Sequence, residues 1–327
     1  MTYNNGKTLQ RGFVTGKYTL TALLAGSSLI WLASMLFCRE TTSAAMLFSF
    51  GMPVWLSDLA SFAVYVLAAV IINSFVVLEG RVSWLGGLYM WLSALSFSLV
   101  SNIQSAVSAL MLVLLYAVVL SCYQRENVQK WVFTSSALLA SFSLLEPRFL
   151  YLLPVCLIYW ATTSVLGLRN ILAALFGLIT PFWLYCGVVL LQPDYNNLLP
   201  MVPDRLYSLF NGCSFALSLP VVPHLAVELL ILLITTSVFV QSTTPAKPIM
   251  RKMFAFFVFA GYYLLFLSLF RADDFSLLFA WRLPGIAIMV AFLFSVKFNK
   301  SFNLLFVFIN VLWLLLAGIN ITYGFLS

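Results

Sequence analysis

Long stretches of nearly unbroken apolar sequence constrain this chain more than any other feature. A helix rises 1.5 Å per residue, so crossing a hydrocarbon core of about 30 Å takes about 20 apolar residues. Reading between charges and turn residues gives eleven such runs: 18–38, 54–78, 83–100, 104–122, 131–145, 149–167, 170–191, 223–240, 253–270, 275–295 and 302–324. Within them the apolar residues are continuous rather than alternating, which excludes an outer-membrane β-barrel. Charged residues make up only 8% of the 327, and 63% are hydrophobic; a soluble domain carries roughly 25% charge. So few charges can neither coat a soluble domain nor keep a disordered chain in solution. The expectation is an all-α, polytopic transmembrane helix bundle of about 11 spans, forming a single membrane domain over 1–327. Lys7, Arg11 and Lys17 precede the first run, as in a signal peptide. Its apolar core is too long for one and no small-residue cleavage pattern follows, so a retained helix is expected.

Lysine and arginine orient the bundle, because they concentrate in cytoplasmic loops. With the N-terminus inside, the inner side receives Lys7, Arg11, Lys17, Arg81, Arg125, Lys130, Arg169, Lys247, Arg251, Lys252, Lys297 and Lys300. Every lysine is in that set. The outer side receives only arginines: Arg39, Arg148, Arg205, Arg271 and Arg282. A wrong span count would scramble this sorting. Eleven spans place the C-terminus outside, in what reads as a bacterial inner membrane. The net charge of +7 belongs to the inner face, where it meets anionic lipid, and points to no nucleic acid.

Most acids fall on the outer side, beside the arginines: Arg39-Glu40, Glu146-Pro147-Arg148, Asp204-Arg205 and Arg271-Ala272-Asp273-Asp274. Arginine grips phosphate or carboxylate through a planar two-bond fork, whereas lysine is a point charge. Glu40, Glu146, Asp273 and Asp274 are therefore candidate catalytic carboxylates, and Arg148, Arg271 and Arg282 candidate anion-binding groups. The plain alternative is that these charges mark helix ends and neutralise one another locally. Run 131–145 spans only about 22 Å, so the Glu146–Arg148 turn is expected to stop short of the outer surface and line a cavity. The polar turn Ser101–Ser105 has similar character.

Arg282 and Glu228 fall inside spans, where ionisable groups are costly and face a cavity or a partner. Glu228 is thus a fourth candidate substrate-binding residue. His224, the only histidine, shares its helix face four residues away, and Pro284 should kink the helix that carries Arg282. Residues 192–222 form a Pro-rich outer loop, in which 204–212 reads as a short interfacial helix. One histidine excludes a His-rich metal centre, and the five cysteines have no metal-ligand spacing. No metal is assigned, and no cofactor is indicated. Nucleotide-binding, zincin and serine-hydrolase motifs are absent.

The segments Phe142–Pro154 and Arg169–Phe182 resemble an uncharacterised bacterial family of multi-pass inner-membrane proteins. Each combines an apolar span with a charged turn, and the second opens a Gly-x-x-x-Pro helix. The layout also resembles the C-type integral-membrane glycosyltransferases, which use polyprenyl-phosphate sugars at the outer face. That resemblance implies a catalytic acid in the first outer loop, here Glu40 or Asp58. The adjacent acidic pair of many members is missing, as is a large outer domain. Three roles are open from sequence: handling of a lipid-linked phosphate or glycan, with polyprenyl phosphate as partner; transport through a mid-membrane site; or a non-catalytic scaffold subunit.

Overall fold

The computed structural model describes residues 9–37, 54–76, 84–123, 127–163, 165, 167–191, 221–242, 248–271, 274–296 and 300–326. Cys38, Arg39, Glu40, Asp204, Arg205, Cys213, Asp273 and the expected interfacial helix lie outside these residues, whereas Asp58 is among them. The described residues are helical, with no strand among them. The helices are α1 Leu9–Thr15, α2 Thr19–Phe37, α3 Val54–Phe75, α4 Leu85–Leu95, α5 Phe97–Val100, α6 Ile103–Leu120, α7 Val128–Leu145, α8 Leu153–Thr162, α9 Leu168–Leu190, α10 Val221–Ser242, α11 Pro248–Phe270, α12 Phe275–Val296 and α13 Lys300–Leu326. A 3-10 turn, Pro147–Leu152, leads into α8.

Among the described residues eight helices, α2, α3, α6 and α9 to α13, are long and apolar enough to cross a membrane. Two of the other three expected runs are helical but irregular. Run 83–100 is divided at Ser96 into α4 and α5, and run 149–167 starts within the 3-10 turn. Run 131–145 is part of α7, which begins three residues earlier at Val128 and reaches 18 residues. That is about 27 Å of rod rather than 22 Å, so length alone does not recess its tip.

The chain packs as two compact units, one made of residues 1–110 and 216–327 and the other of 111–215. The first unit is organised around α12. Of its apolar window Phe275–Ser295, 94% is buried, and it packs against α1, α4, α5, α10 and α11. Apolar side chains on all faces make α12 a core helix, and α2, α3 and α13 leave leucines and valines exposed. Helix α4 fits tightly against α3 because Gly86 has no side chain. A Cβ there would stand 2.7 Å from the Ala69 carbonyl oxygen. The Gly86 N–H, one of the donors that a helix start leaves without an internal partner, donates to Asn73 Oδ1 at 2.9 Å. Tyr65 does the converse, donating its hydroxyl to the Val100 carbonyl at the end of α5. In the buried turn that follows, Asn102 Oδ1 accepts the Gln104 N–H at 3.0 Å and starts α6.

At one end of this unit the short helix α1 is strapped across α12 and α13. The buried Gln10 donates from Nε2 to the Phe294 carbonyl at 2.8 Å, and its N–H donates to Asn303 Oδ1 at 3.0 Å. Phe294 lies in the last turn of α12, where carbonyls have no helical partner. Phe13 wedges beside it, with ring centroids 5.1 Å from both Trp84 and Phe306.

In the second unit α7 packs along α9 through small residues, the usual means of close approach where apolar lipid offers no driving force. A Cβ on Gly177 would sit 2.5 Å from the Phe133 carbonyl oxygen and 2.8 Å from Ser136 Cβ. The rest of α9 faces outward, with Phe176, Trp183 and Leu168 exposed. Glu146 ends α7 in an extended conformation, φ −131° and ψ 99°, as the ring of Pro147 requires of the residue before it.

Gly177→Ile should destabilise the second unit by roughly 1–3 kcal/mol or more, because the clash is with backbone. Gly187→Ile, which meets nothing within 4 Å, is the control with the same cost in helix propensity. Thermal unfolding of the detergent-solubilised variants checks this: equal midpoints would mean that the α7–α9 contact does not depend on Gly177.

Candidate functional site

A guanidinium in the middle of a core helix must be solvated by protein groups, since burying it unpaired is prohibitive. Arg282 stands seven residues into α12, about 10 Å from its start, and Glu228 stands seven residues into α10. Their side chains are each 1% exposed. Arg282 Nε lies 2.5 Å from Glu228 Oε2, an ion-pair contact without hydrogen-bond alignment, and Nη2 donates to Oε1 at 3.3 Å, the one hydrogen bond between the two side chains. The third nitrogen, Nη1, donates to the Ser268 hydroxyl of α11. That hydroxyl in turn donates to the Leu264 carbonyl at 2.8 Å. Three consecutive helices therefore contribute one partner each.

Aromatic rings close the pair on the side nearer the starts of α10 and α12. The Arg282 guanidinium carbon lies 5.2 Å from the Phe275 ring centroid and 5.6 Å from that of Phe279, within range of cation–π attraction. His224, one turn before Glu228 and itself buried, stands edge-on to Phe279 at 5.2 Å. Toward the opposite end the same three helices are packed by Phe239, Phe254 and Phe292, with centroids 4.1 to 6.1 Å apart. The ion pair is thus enclosed along the bundle by apolar rings in both directions.

The α11–α12 turn carries the next charges. Asp274, buried, directly precedes α12, where a carboxylate suits the positive end of the helix dipole. Its N–H donates to the Arg271 carbonyl at 3.2 Å. Asp274 is eight residues from Arg282, about 12 Å along the helix axis. Arg271 and Asp274 thus lie at the end of the bundle where α12 starts, and Arg282 and Glu228 lie deeper along the same helices. In the second unit Arg148 Nη1 donates to Glu146 Oε1 at 3.3 Å, with the carboxylate largely buried and the guanidinium half-buried.

Of the residues singled out from sequence, the structure joins Glu228 directly to Arg282, and Glu146 to Arg148. Glu40 and Asp273 fall outside the described residues. Among the described residues no three His, Cys, Asp or Glu side chains gather as a metal site, and Cys122, Cys156 and Cys186 are free thiols. Ser268 had no signal in the sequence, being one serine in an apolar run. Phe275 and Phe279 did: with Arg282 they repeat at i, i+4 and i+7, one face of a helix. No family model, no curated protein and no solved structure matches the chain.

Arg282→Ala should cost roughly 3–5 kcal/mol, because it strands Glu228 in a dry interior. The neutral pair Glu228→Gln with Arg282→Gln should recover most of that loss. Thermal denaturation of the three proteins measures the difference, and equal stability of the single and double variants would contradict the pairing.

Proposed function

We propose that the chain is an inner-membrane protein crossing eleven times, N-terminus inside and C-terminus outside, and that it is a permease for an organic anion. The irregular segments are somewhat shorter than a core of about 30 Å, a mismatch that local thinning of the bilayer accommodates. Residues 85–100 extend about 24 Å as α-helix, and 147–162 reach about 27 Å as a 3-10 turn followed by α-helix. Counting them keeps every lysine on the inner side. In that topology α10 and α12 start at the outer face, so the ion pair sits in the outer half of the membrane.

The observation that carries the transport reading is the closure of Arg282. Its guanidinium is bonded by Glu228 and Ser268 and covered by two phenyl rings, so an anion reaches it only after the bundle opens. An enzyme acting on a lipid-linked phosphate at the surface needs a reachable cation, and Arg282 is not one. Intramembrane ionisable pairs of this kind mark substrate or ion pathways. A second reading rests on Arg148. Its half-buried guanidinium beside Glu146 suits a lipid-linked phosphate, polyprenyl phosphate among them, at the outer face.

Fusion of alkaline phosphatase after Ser327 should give active enzyme, and a fluorescent-protein fusion there should stay dark. The reverse pattern would overturn the span count. Native mass spectrometry of the purified protein separates the two roles. A retained polyprenyl phosphate lost in Arg148→Ala supports the second reading. Its absence, together with stabilisation of wild type but not of the neutral Glu228→Gln, Arg282→Gln pair by small organic anions, supports transport.

A further inference from the structure

The carboxylate that occupies Arg282 belongs to the protein itself, and its setting describes the molecule that can replace it. We propose that Glu228 is an internal stand-in for the substrate, that the substrate is a monocarboxylate with an apolar body, and that it enters together with one proton. This rests on the transport reading and specifies its cargo and coupling.

Three observations define the cargo. Glu228 lies along the Nε–Nη2 side of the guanidinium, with Oε2 2.5 Å from Nε as an ion-pair contact and Oε1 accepting from Nη2, the side on which a planar carboxylate fits. The charge at this level is that of one arginine. Around Glu228, α12 brings Arg282 and, just before its start, Asp274; α11 brings the Ser268 hydroxyl, with Arg271 just past its end and Arg251 and Lys252 near its other end. Helix α13 carries Lys300 and Tyr323, near its two ends, and α10 itself adds His224. A monoanion therefore balances the site, whereas a phosphate dianion would leave excess charge in an apolar interior. The walls are the third observation: Phe275, Phe279 and the His224 ring would surround whatever is attached to the bound carboxylate.

Exchange sets the coupling. At rest the site holds Arg282 as a cation and Glu228 as an anion. When a substrate carboxylate takes the fork, Glu228 is left among apolar rings, where the charged form is costly. It takes a proton from the water on the side from which the substrate came. The loaded site then contains cationic Arg282, the anionic substrate and neutral Glu228, so its charge is unchanged. When the substrate leaves, Glu228 returns to Arg282 and releases its proton to that side. The net movement is one carboxylate and one proton.

The test is binding of 3-phenylpropionate to the purified full chain in nanodiscs, followed by thermal stabilisation between pH 6 and 8. Uptake of one proton per carboxylate predicts affinity falling about tenfold per pH unit. Glu228→Gln removes the internal competitor and the proton acceptor, so it should bind more tightly and lose the pH dependence. Should that variant fold poorly without ligand, Glu228→Asp keeps the charge but shortens the reach, and should also bind more tightly than wild type. The double variant Glu228→Gln with Arg282→Gln should not bind. Arg282-dependent binding of inorganic phosphate or phenylphosphonate without 3-phenylpropionate would overturn the cargo and leave the anion site standing. Pronounced pH dependence retained in Glu228→Gln would overturn the coupling. Failure of all these anions to stabilise wild type, Glu228→Gln and Glu228→Asp would overturn both this inference and the permease reading.

Discussion

Arg282 carries a charge that water cannot reach, and the arrangement of α10, α11 and α12 follows from keeping that charge solvated. Glu228 supplies the opposite charge from one helix, Ser268 a hydroxyl from another, and the phenyl rings of α12 itself lie against the guanidinium. The ion pair and its one hydrogen bond tie the depth of α10 to that of α12, which packing of leucines and phenylalanines alone leaves less determined. An ion pair of this kind adds little net stability over an apolar pair of the same volume. Its value is positional and chemical, because it keeps a polar, exchangeable contact at the centre of an otherwise dry unit.

Close approach supplies the other constraint. Apolar side chains gain little by leaving lipid for protein, so helices in such a chain associate where their backbones can come near. Gly86 lets α4 touch the backbone of α3, and Gly177 lets α9 touch that of α7. Asn73 and Tyr65 then satisfy backbone groups at the helix ends thus brought together. Each contact also removes a polar group from the account of unmet hydrogen bonds, which matters more without water nearby.

Apolar run length made the helices legible from sequence, and among the described residues each of the eleven runs falls largely on helix. The irregularities were less visible. The division at Ser96 depends on local backbone geometry that one serine in an apolar stretch does not announce. The early start of α7 was hidden because Gln129 and Lys130 read as loop, although both suit a helix projecting from the apolar layer. For the site, charge scarcity pointed to Arg282 and Glu228, and the i, i+4 spacing pointed to His224. That these two charges belong together, 54 residues apart, is tertiary information. So is the role of Ser268, which matters only because an arginine from another helix reaches it.

The Gln10 strap gives α12 a mechanical character. One end of this helix is held by the Arg282 fork, and the other by the bond from Gln10 to the Phe294 carbonyl. The two attachments are twelve residues apart, about 18 Å along a single rod. Sliding or turning that rod would load both fastenings together, so the short N-terminal helix braces the same rod that carries the charge.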